Sequence, residues 1–321
     1  MMNILVTGAS GFVGQHLLSH LKESTNNHVV TYGRSKVNCS DKHFFGDLSD
    51  SADFSPVLNG IDVIIHCAGR AHIINDNVKD PLDVYREVNT RATVNLARSA
   101  VKSGVKRFIY LSSIKVNGES TSVHNPFLSS DSHSPIDDYG ISKSEAEFGL
   151  INAAKNTGLD YVIIRPPLIY GEGVKANFES LMNLVDKGIP LPFGCINNNL
   201  RSLVSIGNLI DLLDVCISHP KAANEIFLVS DDHDISTSDL VEKMSQALGK
   251  KVFQIPIPIF LYKLLGKISN RQGVIDRLIN SLHVDINHTK NTLNWTAPQS
   301  LDVGFKEVAE YIKNNKANEK K

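Results

Sequence analysis

The sequence predicts an α/β protein: a doubly wound parallel sheet with a smaller C-terminal lobe. Three observations predict it. Short runs rich in β-branched and aromatic residues alternate with longer stretches whose apolar residues recur at three and four. A glycine cluster separates the first such run from the first helical stretch. At 321 residues the chain exceeds the ~150 residues of an ordinary domain, so one large core plus an appended lobe is expected.

In chain order, strands are predicted at Asn3–Thr7, His28–Tyr32, His43–Phe45, Ile61–His66, Arg107–Leu111 and Tyr161–Arg165. Helices are predicted near Phe12–Glu23, Leu82–Ser103 and Tyr139–Asn156. Alternation of this kind builds βαβ units around a parallel sheet. Asn117–Asp138, rich in Ser, Pro, Asp and Asn and without periodicity, reads as a loop, and long loops in compact domains are commonly functional. After Gly171 the alternation becomes irregular and prolines recur at 190, 192, 220, 256 and 258. The expected division is a dinucleotide-binding domain over residues 1–170 with segments returning from 200–230, a substrate-binding lobe mainly over 171–312, and a polar tail at 313–321. Ile255–Leu265, with Lys263 and Lys267 in or near it, has the composition of a membrane-surface helix, but its two prolines suit entry into an amphipathic helix packed on the smaller lobe, which is the reading adopted.

Composition excludes several function classes. Lys and Arg total 33 against 34 Asp and Glu, so no field of one sign attracts nucleic acid or anionic lipid, and phosphate recognition must be local. No segment approaches the ~18 apolar residues of a membrane span, and the N-terminus lacks signal-peptide features, which predicts a cytoplasmic protein without membrane insertion. Cys39, Cys67, Cys195 and Cys216 are scattered without a C-x-x-C pair, which suits reduced thiols and no metal site. No internal repeat is present.

The first strand runs directly into Gly8-Ala9-Ser10-Gly11-Phe12-Val13-Gly14 and then a helix. Glycines there permit a tight turn, close approach of a pyrophosphate, and close packing of helix on strand, while the helix N-terminus offers unpaired N–H groups to the anion. That is the Rossmann-type cradle for a dinucleotide. An NAD-selective site commonly has a carboxylate at the end of the second strand; here that place reads Tyr32-Gly33-Arg34-Ser35. A guanidinium pairs with a 2′-phosphate through charge-assisted hydrogen bonds, so NADP(H) is favoured, with NAD(H) the alternative.

Tyr139 and Lys143 stand four apart at the start of a predicted helix, on one face. An ammonium beside a phenol lowers its pKa from ~10 towards working pH, which lets a tyrosine act as general acid or base. Upstream, Leu111-Ser112-Ser113 ends a strand at the carboxyl edge of the sheet, where open α/β sheets bind ligands. A hydroxyl of Ser112 or Ser113 can hold the reacting oxygen. His66 and Cys67, at the end of the fourth strand, read as strand-end packing.

The G-x-x-G-x-x-G spacing, a serine twenty-six residues before Tyr139, the Tyr139/Lys143 pair and Asn89 in Val88-Asn89-Thr90-Arg91-Ala92 together resemble the extended branch of the short-chain dehydrogenase/reductase family, over about the first two hundred residues. The resemblance implies Ser113 as the hydroxyl orienting substrate, Tyr139 as acid/base, and Lys143 as its activator, also reaching the nicotinamide ribose. It implies Asn89 as a cofactor-side helper, Asp47 with Leu48 at the adenine, and Ala68 in the turn lining the cofactor. Ile164-Arg165-Pro166-Pro167 looks like the segment by which nucleotide-sugar epimerases and dehydratases line the nicotinamide. Asn177 falls where they place a diphosphate, and Arg201 is similar to their arginine on it. A second phosphate contact is implied at Arg271 or Arg277. Trp295, in a segment similar to the group's closing helix, reads as a packing anchor. Homodimerisation through the two long helices Leu82–Ser103 and Tyr139–Asn156 is also implied.

One departure narrows the chemistry. The 4,6-dehydratases of this group carry an Asp-Glu pair after the strand-end hydroxyl, whereas this chain has Ile114-Lys115, so elimination is disfavoured. Ser112–Gly118, with Lys115 as a substrate contact, looks closest to bacterial proteins that reduce or epimerise C4 of UDP-N-acetylhexosamine-type sugars for surface polysaccharides such as O-antigen. The expected activity is reduction of a UDP-4-keto-6-deoxy-N-acetylhexosamine, forming a UDP-N-acetylquinovosamine-type sugar. The alternative is a UDP-glucose or UDP-N-acetylglucosamine 4-epimerase with tightly bound NAD. A non-catalytic dinucleotide sensor on the same fold is the distant third, and would not need both Tyr139 and Lys143.

Overall fold

The computed structural model describes residues 1–24, 26–71, 80–174, 177–269 and 272–318. Strands β1 (Asn3–Thr7), β2 (His28–Gly33), β3 (Lys42–Phe45), β4 (Val63–His66), β5 (Arg107–Leu111), β6 (Asp160–Arg165) and β9 (Glu225–Leu228) form a seven-stranded sheet in the order β3-β2-β1-β4-β5-β6-β9. Every pairing is parallel. Two further strands, β7 (Leu168–Tyr170) and β8 (Leu203–Ser205), pair as a separate parallel ribbon.

Both faces of the sheet are buried, which is why its strands read as apolar runs rather than as alternation. One face, carrying Leu5, Ile64, Phe108, Tyr110 and Ile163, packs against α2 (Ser55–Leu58), α4 (Ala92–Lys102) and α5 (Asp138–Ala154). The opposite face, carrying Ile4, Val6, Ile65, Ile109 and Ile164, is covered by α1 (Phe12–Ser24) and α7 (Ile206–Ser218), with Trp295 at its margin. The predicted single helix over Leu82–Ser103 is composite: α3 (Pro81–Tyr85), a π-helical turn over Arg86–Arg91, then α4. The π turn inserts extra backbone into the helix and turns Asn89 inward, a common device at functional sites.

A second core joins Tyr170, Phe178, Met182, Met244 and Phe305. It is built by α6 (Asn177–Asp186), α8 (Thr237–Leu248) and α12 (Leu301–Asn318) beside the ribbon. Asp231 binds this lobe to the main sheet, accepting from the Ser205 amide (2.8 Å), Asn208 Nδ2 (2.6 Å) and Tyr170 Oη (2.7 Å). The remaining helices are α9 (Ile259–Ile268), α10 (Gln272–Ile279) and α11 (Asn287–Leu293). As expected for Ile255–Leu265, the prolines lead into the helix, which starts at Ile259 and rests on the lobe through Ile259, Tyr262 and Gly266; the departure is that most of its large apolar side chains face outward. Only Tyr262 and Gly266 of α9 are buried, while Phe260, Leu261, Leu264, Leu265 and Ile268 are exposed.

Candidate active site

The sheet order reverses direction between β1 and β4, and ligands of such sheets bind at the carboxyl ends of the strands beside that point. Gly8 leaves β1 with φ +72°, a conformation that favours glycine. A Cβ there would run into the backbone of Cys67 and Ala68, and a Cβ on Gly14 into the Gly8 carbonyl oxygen. The turn is closed by the Gly11 amide donating to Gly8 O (2.9 Å). Ser10 and Gly11 remain exposed at the mouth, while Val13 is buried beneath and Phe12 is half-buried. The cradle therefore fits a pyrophosphate: it requires glycine on steric grounds and opens on a helix N-terminus.

Around the cradle, Arg34 is exposed just past β2, and a Cβ on Gly33 would meet open space. The residues that end β2, Tyr32-Gly33-Arg34-Ser35, include no carboxylate, although Asp47 and Asp53 act on Tyr32 from neighbouring segments. Asp47 is exposed, its carboxylate accepting from the Leu48 amide (3.0 Å), while Tyr32 Oη donates to its carbonyl (3.2 Å). Asn89 is fully buried. Its Oδ1 accepts from the Arg70 amide (2.7 Å) and its Nδ2 donates to Arg70 O (3.1 Å) and Ser142 Oγ (3.0 Å). It thus fixes the turn after Ala68 to α5. His66 is wedged between Thr7 Oγ1 (2.6 Å) and Thr93 Oγ1 (2.8 Å), and burial pushes it down to about 3, so it is neutral. Burial raises the Cys67 thiol to about 12.

Helix α5 brings the proton-transfer groups to this edge. Asp137 caps it, accepting from the Gly140 amide (2.7 Å). Tyr139 follows in the first turn, and the Ser113 hydroxyl, which accepts from the Lys115 amide (3.3 Å), lies near enough to influence its phenol. Burial pushes the Tyr139 phenol up to about 12, and the nearby Ser113 hydroxyl works against that rise. Lys143, one turn on, is buried: Nζ donates to Leu111 O (2.9 Å) and lies 4.5 Å from the centre of the Tyr110 ring. Burial lowers it to about 8. The geometry separates the two serines. Ser112 turns inward and donates to Glu147, whereas Ser113 faces Tyr139.

Sequence reasoning missed the layer beneath. Glu147 and Arg165 are 0% and 1% exposed and pair through Arg165 Nε (3.0 Å) and Nη2 (2.6 Å). Arg165 Nη1 donates to Asn117 Oδ1 (2.9 Å), and its Nη2 lies 2.6 Å from His133 Nε2. A guanidinium only donates, so His133 accepts at Nε2 and donates from Nδ1 to Ser144 Oγ (2.8 Å). The available signal was an arginine ending an otherwise apolar buried strand, since such a charge requires a partner. Lys115 is committed to Asp137 and to Glu119 (3.0 Å).

Arg201 donates from Nη1 to Arg277 O (2.6 Å) and Asn280 O (3.3 Å), and burial together with the nearby Arg277 charge lowers its pKa. The positive charges of Arg201 and Arg277 act on one another, and such a pair suits an anion. Arg271 and the side chain of Asn177 lie outside the described residues. A cavity of about 350 Å³, lined in part by Ser122, Asn198, Ile259 and Asn280, opens beside Arg201. Pro166 is buried and accepts at its carbonyl from the Ile114 amide (3.0 Å), which ties the Ser113 turn to β6.

A parallel sheet with a glycine cradle at its switch point and a Ser–Tyr–Lys group at the same edge defines a nicotinamide-dependent enzyme. The chain belongs to the NAD dependent epimerase/dehydratase family, which it matches over residues 4–230. It is 54% identical over 310 residues to a UDP-glucose 4-epimerase of Vibrio cholerae, covering 96% of this chain and 94% of that one. It is 27% identical to the N-acetyl-alpha-D-glucosaminyl-diphospho-ditrans,octacis-undecaprenol 4-epimerase of Escherichia coli O157:H7, covering 96% and 95%. Among solved structures, the UDP-glucose 4-epimerase of Thermotoga maritima with UDP-glucose superimposes with a TM-score of 0.76 at 23% identity, covering 98% and 99%.

Proposed function

We propose that this protein is a UDP-sugar 4-epimerase working with bound NAD. The likeness to a UDP-glucose 4-epimerase over 96% of the chain carries this reading, and it reverses the order expected from the sequence, where 4-ketoreduction came first. An oxidised nicotinamide held by the Gly8–Gly14 cradle would supply the hydride acceptor. Tyr139, as general base, takes the proton from the C4 hydroxyl and later returns it. Ser113 holds the C4 oxygen, and the Lys143 ammonium stabilises the phenolate and binds the ribose of the cofactor. Arg201 and Arg277 hold the sugar diphosphate, with Asn177 at the start of α6 beside it. The protein works in the cytoplasm as a homodimer through α4 and α5, where Phe148 is exposed.

The second reading, a 4-ketoreductase using NADPH, is supported by the Gly33-Arg34 strand end and its lack of a carboxylate. One experiment separates the two. The purified protein is denatured, the released nucleotide is identified, and UDP-glucose and UDP-N-acetylglucosamine are assayed without added nucleotide. Stoichiometric NAD with turnover is the expected result; an empty protein that turns over only a UDP-4-keto-6-deoxy sugar with NADPH would reverse the order. Arg34→Ala gives an independent check: under the reductase reading it weakens NADPH by about 1.5–3 kcal/mol and spares NADH, and under the epimerase reading it changes both alike.

A further inference from the structure

Helix α9 inverts the pattern of a surface helix. Buried Tyr262 and Gly266 mark the side that faces the lobe. At about 100° per residue, Phe260, Leu261, Leu264, Leu265 and Ile268 gather on the side turned away. These are large exposures, 66% for Phe260, 57% for Leu265 and 75% for Ile268. Phe253 before the helix and Val274 in α10 are exposed as well. The α9–α10 hairpin is anchored by a small cluster of Ile196, Tyr262 and Ile279. A contiguous apolar face of this kind marks a surface that is covered in use.

The local charge identifies the cover. Among the described residues of 250–279 stand Lys250, Lys251, Lys263, Lys267 and Arg277 against Asp276 alone, in a chain whose net charge is −1; Lys250 pairs with Asp186 and Arg277 lies near Arg201, so Lys251, Lys263 and Lys267 carry the local excess. Lys263 and Lys267 share one flank of the apolar face, where long stems let an ammonium stay among headgroups while leucines enter the acyl boundary.

We propose that α9 docks this protein on an anionic membrane surface, with Phe260, Leu264, Leu265 and Ile268 in the headgroup–acyl boundary and Lys263 and Lys267 among the headgroups. Ile259, the first residue of α9, lies on the lobe-facing side with Tyr262 and lines the cavity beside Arg201, so the apolar face is free of the site.

The test is flotation of the full chain with vesicles of phosphatidylethanolamine and phosphatidylglycerol, and with vesicles of phosphatidylcholine alone. The protein is expected to float with the anionic vesicles and to bind the neutral ones about tenfold more weakly. Leu264→Gln with Ile268→Gln should lose about tenfold or more on anionic vesicles, and Lys263→Gln with Lys267→Gln should lose only the anionic preference. Turnover of a soluble UDP-sugar should be unchanged in both variants. Wild type remaining at the bottom with anionic vesicles, or the Leu264/Ile268 variant floating as well as wild type, overturns the proposal. If wild type does not float and the same variant dissolves a dimer seen by ultracentrifugation, a second copy is the occupant instead.

Discussion

Two opposed shifts meet at adjacent turns of α5: burial raises the Tyr139 phenol to about 12 and lowers the Lys143 ammonium to about 8. Tyr139→Phe removes the proton and little volume, so turnover should fall about a hundred- to ten-thousand-fold while nucleotide affinity, read by fluorescence titration, holds. Near-normal turnover would remove Tyr139 from the chemistry. Lys143 makes a prediction about stability. Its folded value lies below the 10.5 of the unfolded chain, so between pH 8 and 10.5 the unfolded state binds more protons and the folded state gains stability as pH rises. Below pH 8 the buried charge is a cost. Lys143→Met should therefore stabilise the nucleotide-free protein at neutral pH by on the order of 2 kcal/mol, with the advantage shrinking towards pH 10.5. Urea denaturation at several pH values checks this; a gain independent of pH would show that the buried charge is not its source.

The elements carry these groups by periodicity. Tyr139, Lys143 and Glu147 lie at successive four-residue steps, so one face of α5 presents phenol, ammonium and carboxylate in order of depth. Glu147 and Arg165 join that helix to β6 beneath Ser112. Arg165→Met should cost about 3–5 kcal/mol in chemical denaturation because it leaves Glu147 buried without its cation, and a second substitution, Glu147→Leu, should recover much of the loss. Failure of the second change to recover stability would argue for Asn117 and His133 as the partners that matter. Much of the fold was legible in the sequence because parallel strands buried on both faces are unmistakable apolar runs; β1 and β5 were read to the residue. The Tyr139–Lys143 spacing was equally visible. Two features were not. The π turn over Arg86–Arg91 leaves the apolar pattern of a helix nearly intact, so periodicity cannot report it. The Glu147–Arg165 layer depends on residues 18 positions apart meeting through the sheet, which no local window contains.

For the whole molecule, Trp295 is a convenient reporter: it is buried, and its Nε1 donates to Asp211 on α7 (2.7 Å). Because Asp231 ties β8, α7 and Tyr170 into one junction, the two cores should unfold together. Tryptophan fluorescence and far-UV circular dichroism should therefore give coincident urea transitions; a fluorescence midpoint well separated from the other would show that the lobes melt independently. The two-faced sheet also has a history written into its chain order. The face against α4 and α5 has all its fully buried members once residue 163 has been made, and only Ile226 at its edge is added later. The opposite face lacks α7 until residues 206–218 emerge and lacks Trp295 until later still. During synthesis Ile109, Val162 and Ile164 therefore spend the intervening time with half their cover missing, and a ribosome stalled in that interval would hold out a greasy, half-roofed sheet to every chaperone and stray strand in reach.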